Sequence, residues 1–229
     1  MRSIKIENKE ILSILNSFKD IFYNDIETFT KNVKESCSDK NREDFISDEY
    51  LTKLIKMGSS HGGYPEVCKA YSLKETLSNK SKEENPSTEN RIIYAKRYAE
   101  LNSKLQTILS TYNNALCSVY PPGGFISWHN NANAPAYNLI FTWSENGDGY
   151  WKHIDPNTGE QVIVKDIPGW QCKAFYFGAY DDGPQDLVYH MASTDCWRMT
   201  ISYVFSIKDS DRKNMKFLWD DVIEEIETP

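Results

Sequence analysis

At Ala115 the chain changes texture. Before it, apolar residues recur at intervals of three and four, the period of an amphipathic helix. After it, short β-rich runs alternate with turn signals: Leu116–Tyr120, Gly124–His129, Tyr137–Trp143, Gly149–Ile154, Gln161–Lys165, Cys172–Phe177, Asp186–His190 and Trp197–Ile207. Pro121-Pro122-Gly123-Gly124, Asn146-Gly147-Asp148-Gly149, Asp155-Pro156-Asn157-Thr158-Gly159, Pro168-Gly169 and Asp181-Asp182-Gly183-Pro184 punctuate them. Many short strands with frequent turns are the pattern of a sandwich or jelly roll.

The first half predicts three helices. Ile11, Leu12, Leu15, Phe18, Ile21, Phe22, Ile26, Phe29 and Val33 place one over 10–35. Ser47 as cap, Asp48 and Glu49 at the positive end and Gly58 as stop place a second over 48–57. Ile92, Tyr94, Tyr98, Leu101, Leu105, Ile108 and Tyr112 place a third over 88–113. Between the last two lies a long loop, 58–90, holding His61 and the polar Ser78–Ser87 stretch. Lys213 to Glu227, with Phe217, Leu218, Val222 and Ile226, predicts a closing helix.

No linker divides the 229 residues, so we read residues 1–229 as one α+β domain. Residues 1–114 are mainly helical support and loop, 115–207 a β core and 208–229 the closing helix. The helices are expected on one sheet of the β-roll. Lys+Arg number 26 against Asp+Glu 33, a net charge of −7, which lacks the basic footprint of a nucleic-acid binder. No apolar run reaches the roughly 18 residues of a membrane span, and the N-terminus lacks the apolar core of a signal peptide. The five cysteines are odd in number and form no CxxC, the usage of a reduced, soluble cytoplasmic chain. Phosphate-loop, dinucleotide and nucleophile-elbow motifs are absent from the sequence.

The chemistry falls on the strands. Alternation puts Phe125, Ser127, His129 and Asn131 on one face. A His followed two residues later by a short polar side chain is half of a facial metal site. His190, 190 − 129 = 61 residues on, is the second imidazole. In Trp197–Phe205, Trp197, Met199, Ile201, Tyr203 and Phe205 form an apolar face, and Arg198, Thr200, Ser202 and Val204 the other. An inward guanidinium is costly unless an anion or a structural carboxylate meets it, and its fork suits a carboxylate. His153 and Asp155 repeat the His-x-Asp spacing as a weaker alternative, with His153 expected at the rim. His61 reads as a solvated loop residue or part of a lid. The tryptophans of the β half read as packing residues.

Tyr120-Pro121-Pro122-Gly123-Gly124-Phe125-Ile126-Ser127-Trp128-His129-Asn130-Asn131, Gly169-Trp170, Ala174–Phe177, His190 and Arg198–Tyr203 together resemble the 2-oxoglutarate/Fe(II)-dependent oxygenases over roughly residues 115–207. The resemblance implies a double-stranded β-helix, a cupin-like jelly roll with supporting N-terminal helices. It implies His129 and His190 as iron ligands, with Asn131 at the third position. Arg198, helped by Thr200 or Ser202, would seat the distal carboxylate of 2-oxoglutarate, and Tyr120 would touch the same cosubstrate. The implied cofactors are Fe(II) and 2-oxoglutarate, with ascorbate as reductant. The implied reaction is a dioxygenase's: decarboxylation of 2-oxoglutarate to succinate, coupled to hydroxylation of a small molecule or a protein residue. The family's third ligand is usually Asp or Glu. Asn131 therefore leaves four readings open: an amide ligand, a two-His site with water in the third place like that of the aspartyl/asparaginyl hydroxylases, a halide in that place as in the related halogenases, which generally carry Gly or Ala there, or a carboxylate-binding module that has lost iron and catalysis.

Overall fold

The computed structural model describes residues 1–33, 40–73, 88–111, 113–183, 186–206 and 212–229. Cys37, Tyr112, Pro184 and the Ser78–Ser87 stretch lie outside the described residues.

Eleven strands are described: β1 (Arg2–Ile4), β2 (Cys68–Lys69), β3 (Tyr71–Ser72), β4 (Asn113–Tyr120), β5 (Phe125–His129), β6 (Ala136–Ser144), β7 (Gly149–Ile154), β8 (Gln161–Lys165), β9 (Gly169–Phe177), β10 (His190–Thr194) and β11 (Arg198–Ser206). They form two antiparallel sheets, in the orders β1-β9-β6-β11-β4-β3 and β2-β5-β10-β7-β8. From β4 to β11 the chain passes back and forth between them, with β4, β6, β9 and β11 in one sheet and β5, β7, β8 and β10 in the other. This winding is a double-stranded β-helix. The strands β1, β2 and β3, which extend its sheets, are too short to show a period in the sequence.

The helices are α1 (Lys9–Tyr23), α2 (Ile26–Asn32), α3 (Arg42–Ile46), α4 (Asp48–Met57), α5 (Thr88–Ile108) and α6 (Arg212–Glu227). The helix expected over 10–35 is broken at Asn24-Asp25, where the Asp25 side chain accepts from the Thr28 N–H and starts α2. A carboxylate that caps a new N-terminus outweighs continuous apolar spacing. The helix expected to reach 113 ends at Ile108, Ser110 takes a positive φ of 49°, and Asn113 already belongs to β4. Ile92, expected in the buried stripe, is exposed. In α4 the Ser47 hydroxyl accepts from Tyr50 N–H at 3.1 Å. Ser47→Ala is expected to lower stability by about 1 kcal/mol, read as a shift in the urea midpoint at unchanged slope.

Helices cover both sheets, not one. Phe18 and Phe22 of α1, Leu101 and Leu105 of α5 and Ile223 and Ile226 of α6 share one core with the outward side chains of the six-stranded sheet. Leu51 and Leu54 of α4 pack with Phe125, Trp128 and Met191 outside the five-stranded sheet. The inner faces of the two sheets are left to enclose a cavity. Among the described residues no helix is long and apolar enough to cross a membrane.

Candidate active site

A cavity of about 600 Å³ opens between the sheets. His129, Asn131, His190, Arg198, Thr200, Ser202 and Tyr120 all line it. The sequence thus singled out residues that the fold brings to one place.

The face assignment around His129 needs correction. His190 pairs with His129, but Ala192 pairs with Ile126, so β5 carries one extra residue between the two pairs. Such a bulge resets the alternation. Phe125 and Trp128 point outward to α4, while Ile126 and His129 line the cavity. Ser127 serves the outer side as well, its hydroxyl accepting from Val67 N–H at 3.2 Å. Trp128 anchors the bulge by donating Nε1–H to the Ile46 carbonyl at 3.0 Å.

The two imidazoles are opposed across β5 and β10, with ring centres 4.0 Å apart. His129 Nδ1 lies 2.8 Å from the Ser127 carbonyl and His190 Nδ1 2.9 Å from the Val188 carbonyl. A carbonyl can only accept, so each Nδ1 carries the proton and each Nε2 keeps its lone pair. Burial pushes His129 down to about 4, and burial with the adjacent His129 pushes His190 well below its ordinary value. Both rings are neutral at pH 7, the form that binds a metal. An ion about 2.1 Å from each Nε2, with a near-right angle between them, holds the ring centres about 4–5 Å apart. The ring separation of 4.0 Å is compatible with one divalent transition metal shared by the pair. Among the described residues no set of three His, Cys, Asp or Glu converges as metal ligands.

Asn131 follows the strand with φ of 66°. Its N–H and that of Asn130 both donate to the Gly63 carbonyl, at 2.8 and 3.2 Å. Gly63 itself has φ of 74°, and a Cβ there would overlap the backbone of Ala132. The turn holding Asn131 is thus clasped by the 3₁₀ segment Gly58–His61 and its following glycines. His61 is half-buried rather than solvated: Nδ1 accepts from Gly63 N–H at 3.0 Å, and Nε2 is buried with no partner among the described residues.

Arg198, at the start of β11, meets a carboxylate that the sequence did not single out. Its Nε donates to Asp166 Oδ2 at 2.7 Å and its Nη1 to Thr200 Oγ1 at 2.6 Å. Asp166 Oδ1 accepts from Gln171 Nε2 at 3.0 Å and lies 3.4 Å from Lys173 Nζ. The side chains of Arg198, Lys173 and Asp166 are 3%, 4% and 0% exposed. Burial alone would raise the Asp166 pKa, but Arg198 and Lys173 hold it below the usual carboxylate range. Gly149 makes room for this carboxylate, since a Cβ there would lie 2.5 Å from Asp166 Oδ2. The Tyr120 ring lies 5.6 Å from the guanidinium carbon. Ser202 donates to Asn138 Oδ1 at 3.2 Å.

His153 is buried rather than at the rim. It is the other cross-strand partner of His190 and stacks on Trp151 with ring centres 4.5 Å apart. Asp155 is instead a turn residue, accepting from Asn157 N–H at 2.8 Å, so 153–155 forms no rival ligand pair. His190 begins β10 rather than ending a strand over 186–190.

No protein-family model and no curated protein sequence matches the chain. Among solved structures it is similar to a Pseudomonas putida prolyl-4-hydroxylase, at 13% identity over 85% of this chain and 99% of that one, TM-score 0.34. It is also similar to the viral collagen prolyl hydroxylase of Paramecium Bursaria Chlorella virus-1 in complex with 2-oxoglutarate, at 14% identity over 79% and 98%, TM-score 0.30. A rice dioxygenase for auxin oxidation matches at 13% identity over 89% and 71%, TM-score 0.35. These are likenesses of fold, and the functional reading rests on the chain's own residues.

Proposed function

We propose that the protein is an Fe(II)- and 2-oxoglutarate-dependent oxygenase that hydroxylates a small molecule or a protein residue. The observation that carries this reading is a single cavity holding two neutral imidazoles with fixed Nδ1–H tautomers and a buried cationic seat on the facing sheet.

His129 and His190 would hold the metal through Nε2. Asn131, which lines the same cavity, would either supply an amide ligand or leave that place to water. The bound iron and 2-oxoglutarate together supply the activation of dioxygen for C–H oxidation, with succinate and carbon dioxide as coproducts. The chain's residues orient the partners. Arg198 presents its guanidinium from the β11 face, kept in position by Asp166 and Thr200. Thr200 and Ser202 supply hydroxyls along the same strand, and the Tyr120 ring backs the guanidinium. The metal-side wall is apolar, with Ile126, Trp151 and Phe177 excluding water from the imidazoles. Tyr64, Pro65, Ala134 and Pro135 extend the lining with further apolar surface, which supports a largely uncharged substrate.

The test is anaerobic addition of Fe(II), ascorbate and 2-oxoglutarate. A weak visible charge-transfer band is expected, followed on admitting oxygen by uncoupled succinate formation. A folded protein that binds 2-oxoglutarate but gives neither band nor succinate is instead a carboxylate-binding module, and the oxygenase reading fails.

A further inference from the structure

Two cations that line the cavity, Arg198 and Lys173, are buried against one anion, Asp166, and the three charges sum to +1. A net charge enclosed by protein is costly unless a counter-ion meets it. Asp166 is already engaged on both oxygens, by Arg198 on one and by Gln171 and Lys173 on the other. Arg198 uses Nε and Nη1 within the protein. Lys173 lines the cavity beside it from β9. An independent sign of a ligand comes from Thr142 on β6, directly opposite Thr200 in register. Thr142 is 0% exposed, lines the cavity, and its hydroxyl has no partner among the described residues. Buried hydroxyls without a partner are rare, and one facing a cationic cavity is accounted for by an acceptor that enters from outside.

We infer that Lys173 and Thr142 bind the incoming carboxylate together with Arg198, and that Asp166 sets the seat to a single positive charge, so that it takes one carboxylate group and disfavours a single group that carries two negative charges. This rests on the oxygenase reading for the identity of the carboxylate. Asp166 is a positioning residue. It cancels one cation permanently and fixes the directions of both, leaving a deficit that one carboxylate neutralises. Sulfate brings both of its charges to the seat and would leave one unpaired there, whereas a dicarboxylate such as glutarate carries its second charge at the far end of the chain. Lys173 lies in the run Gln171-Cys172-Lys173-Ala174-Phe175 on a strand flanked by β1 and β6, and its side chain is only 4% exposed.

The experiment measures the affinity of glutarate, a dicarboxylate without the chelating keto group, and its displacement by sulfate, alongside 2-oxoglutarate with Fe(II) under anaerobic conditions. Lys173→Met brings the seat to zero, and glutarate affinity is expected to fall about 30-fold or more, as for loss of a charge-assisted bond. Asp166→Asn brings it to +2, and sulfate is expected to gain about 10-fold on glutarate. The double variant Asp166→Asn/Lys173→Met returns it to +1 and is expected to bind glutarate at least about 5-fold more tightly than Lys173→Met alone. A purely structural role would leave the sulfate-to-glutarate ratio unmoved and the double variant no better than Lys173→Met. Either of those results overturns the inference, as does a Lys173→Met protein that binds glutarate like the wild type. Where Asp166→Asn does not fold, Lys173→Met decides alone. A wild-type protein that binds neither glutarate nor 2-oxoglutarate overturns the oxygenase reading and this inference with it. Wild-type binding with Lys173→Met unchanged overturns only the inference.

Discussion

His190→Ala is expected to weaken Fe(II) binding by more than about 100-fold, since loss of an outer partner of a ligating His alone costs about 10–100-fold. The expectation follows from the paired geometry. His129 and His190 face each other with ring centres 4.0 Å apart, and each is oriented by one backbone carbonyl. With one ring gone, a divalent ion keeps one imidazole and the neutral Asn131, a set too weak to compete with water. Titration of metal-depleted protein with Fe(II), or with Co(II) as a spectroscopic substitute, measures the effect. His190 also packs against Phe177 and Trp151, so circular dichroism must show an unchanged fold for the comparison to count. Metal affinity within about 10-fold of wild type in a folded His190→Ala protein would remove the proposed ligand pair.

Asp166→Ala is expected to destabilise the protein by about 3–5 kcal/mol, because it strands two buried cations. In a chain of this size that corresponds to a fall in melting temperature of about 6–20 °C. The sign of the pH dependence follows from the depressed Asp166 pKa. A carboxylate whose folded pKa lies below its unfolded value contributes fully above the unfolded value of about 3.9 and loses the contribution as pH falls through the folded one. The gap between wild type and variant should therefore be widest near neutrality and narrow in acid. A variant as stable as wild type at pH 7 would show that the triad is not under charge strain.

Legibility varied with how local the signal was. Helix α4 and strands β7 and β8 were readable to the residue, because Ser47, Gly58 and the Gly-rich turns mark their ends. The break at Asn24-Asp25 was hidden by apolar spacing that runs on through it. The bulge in β5 was invisible to any period-two argument, yet it puts Ile126, rather than Ser127, on the same inner face as His129. His129, His190 and Arg198 could be found because they are unusual residues on strands. Asp166 escaped notice in Lys165-Asp166-Ile167-Pro168, which reads as an ordinary polar turn. Lys173 did leave a signal. A single ammonium inside an apolar strand raises the same question as an inward arginine, and asking it would have found the second cation.

The clasp between Gly63 and the backbone of Asn130 and Asn131 reaches beyond local geometry. The loop that shapes the edge of the imidazole pocket is drawn from the helical half, and Tyr180, which takes a hydrogen bond from Asn130 and gives one to Gly58, locks the two together. Excising the barrel from Ala115 onward would keep every proposed ligand but release the turn that aims one of them. Any minimal or grafted version of this pocket must carry residues 58–67 along with the strands.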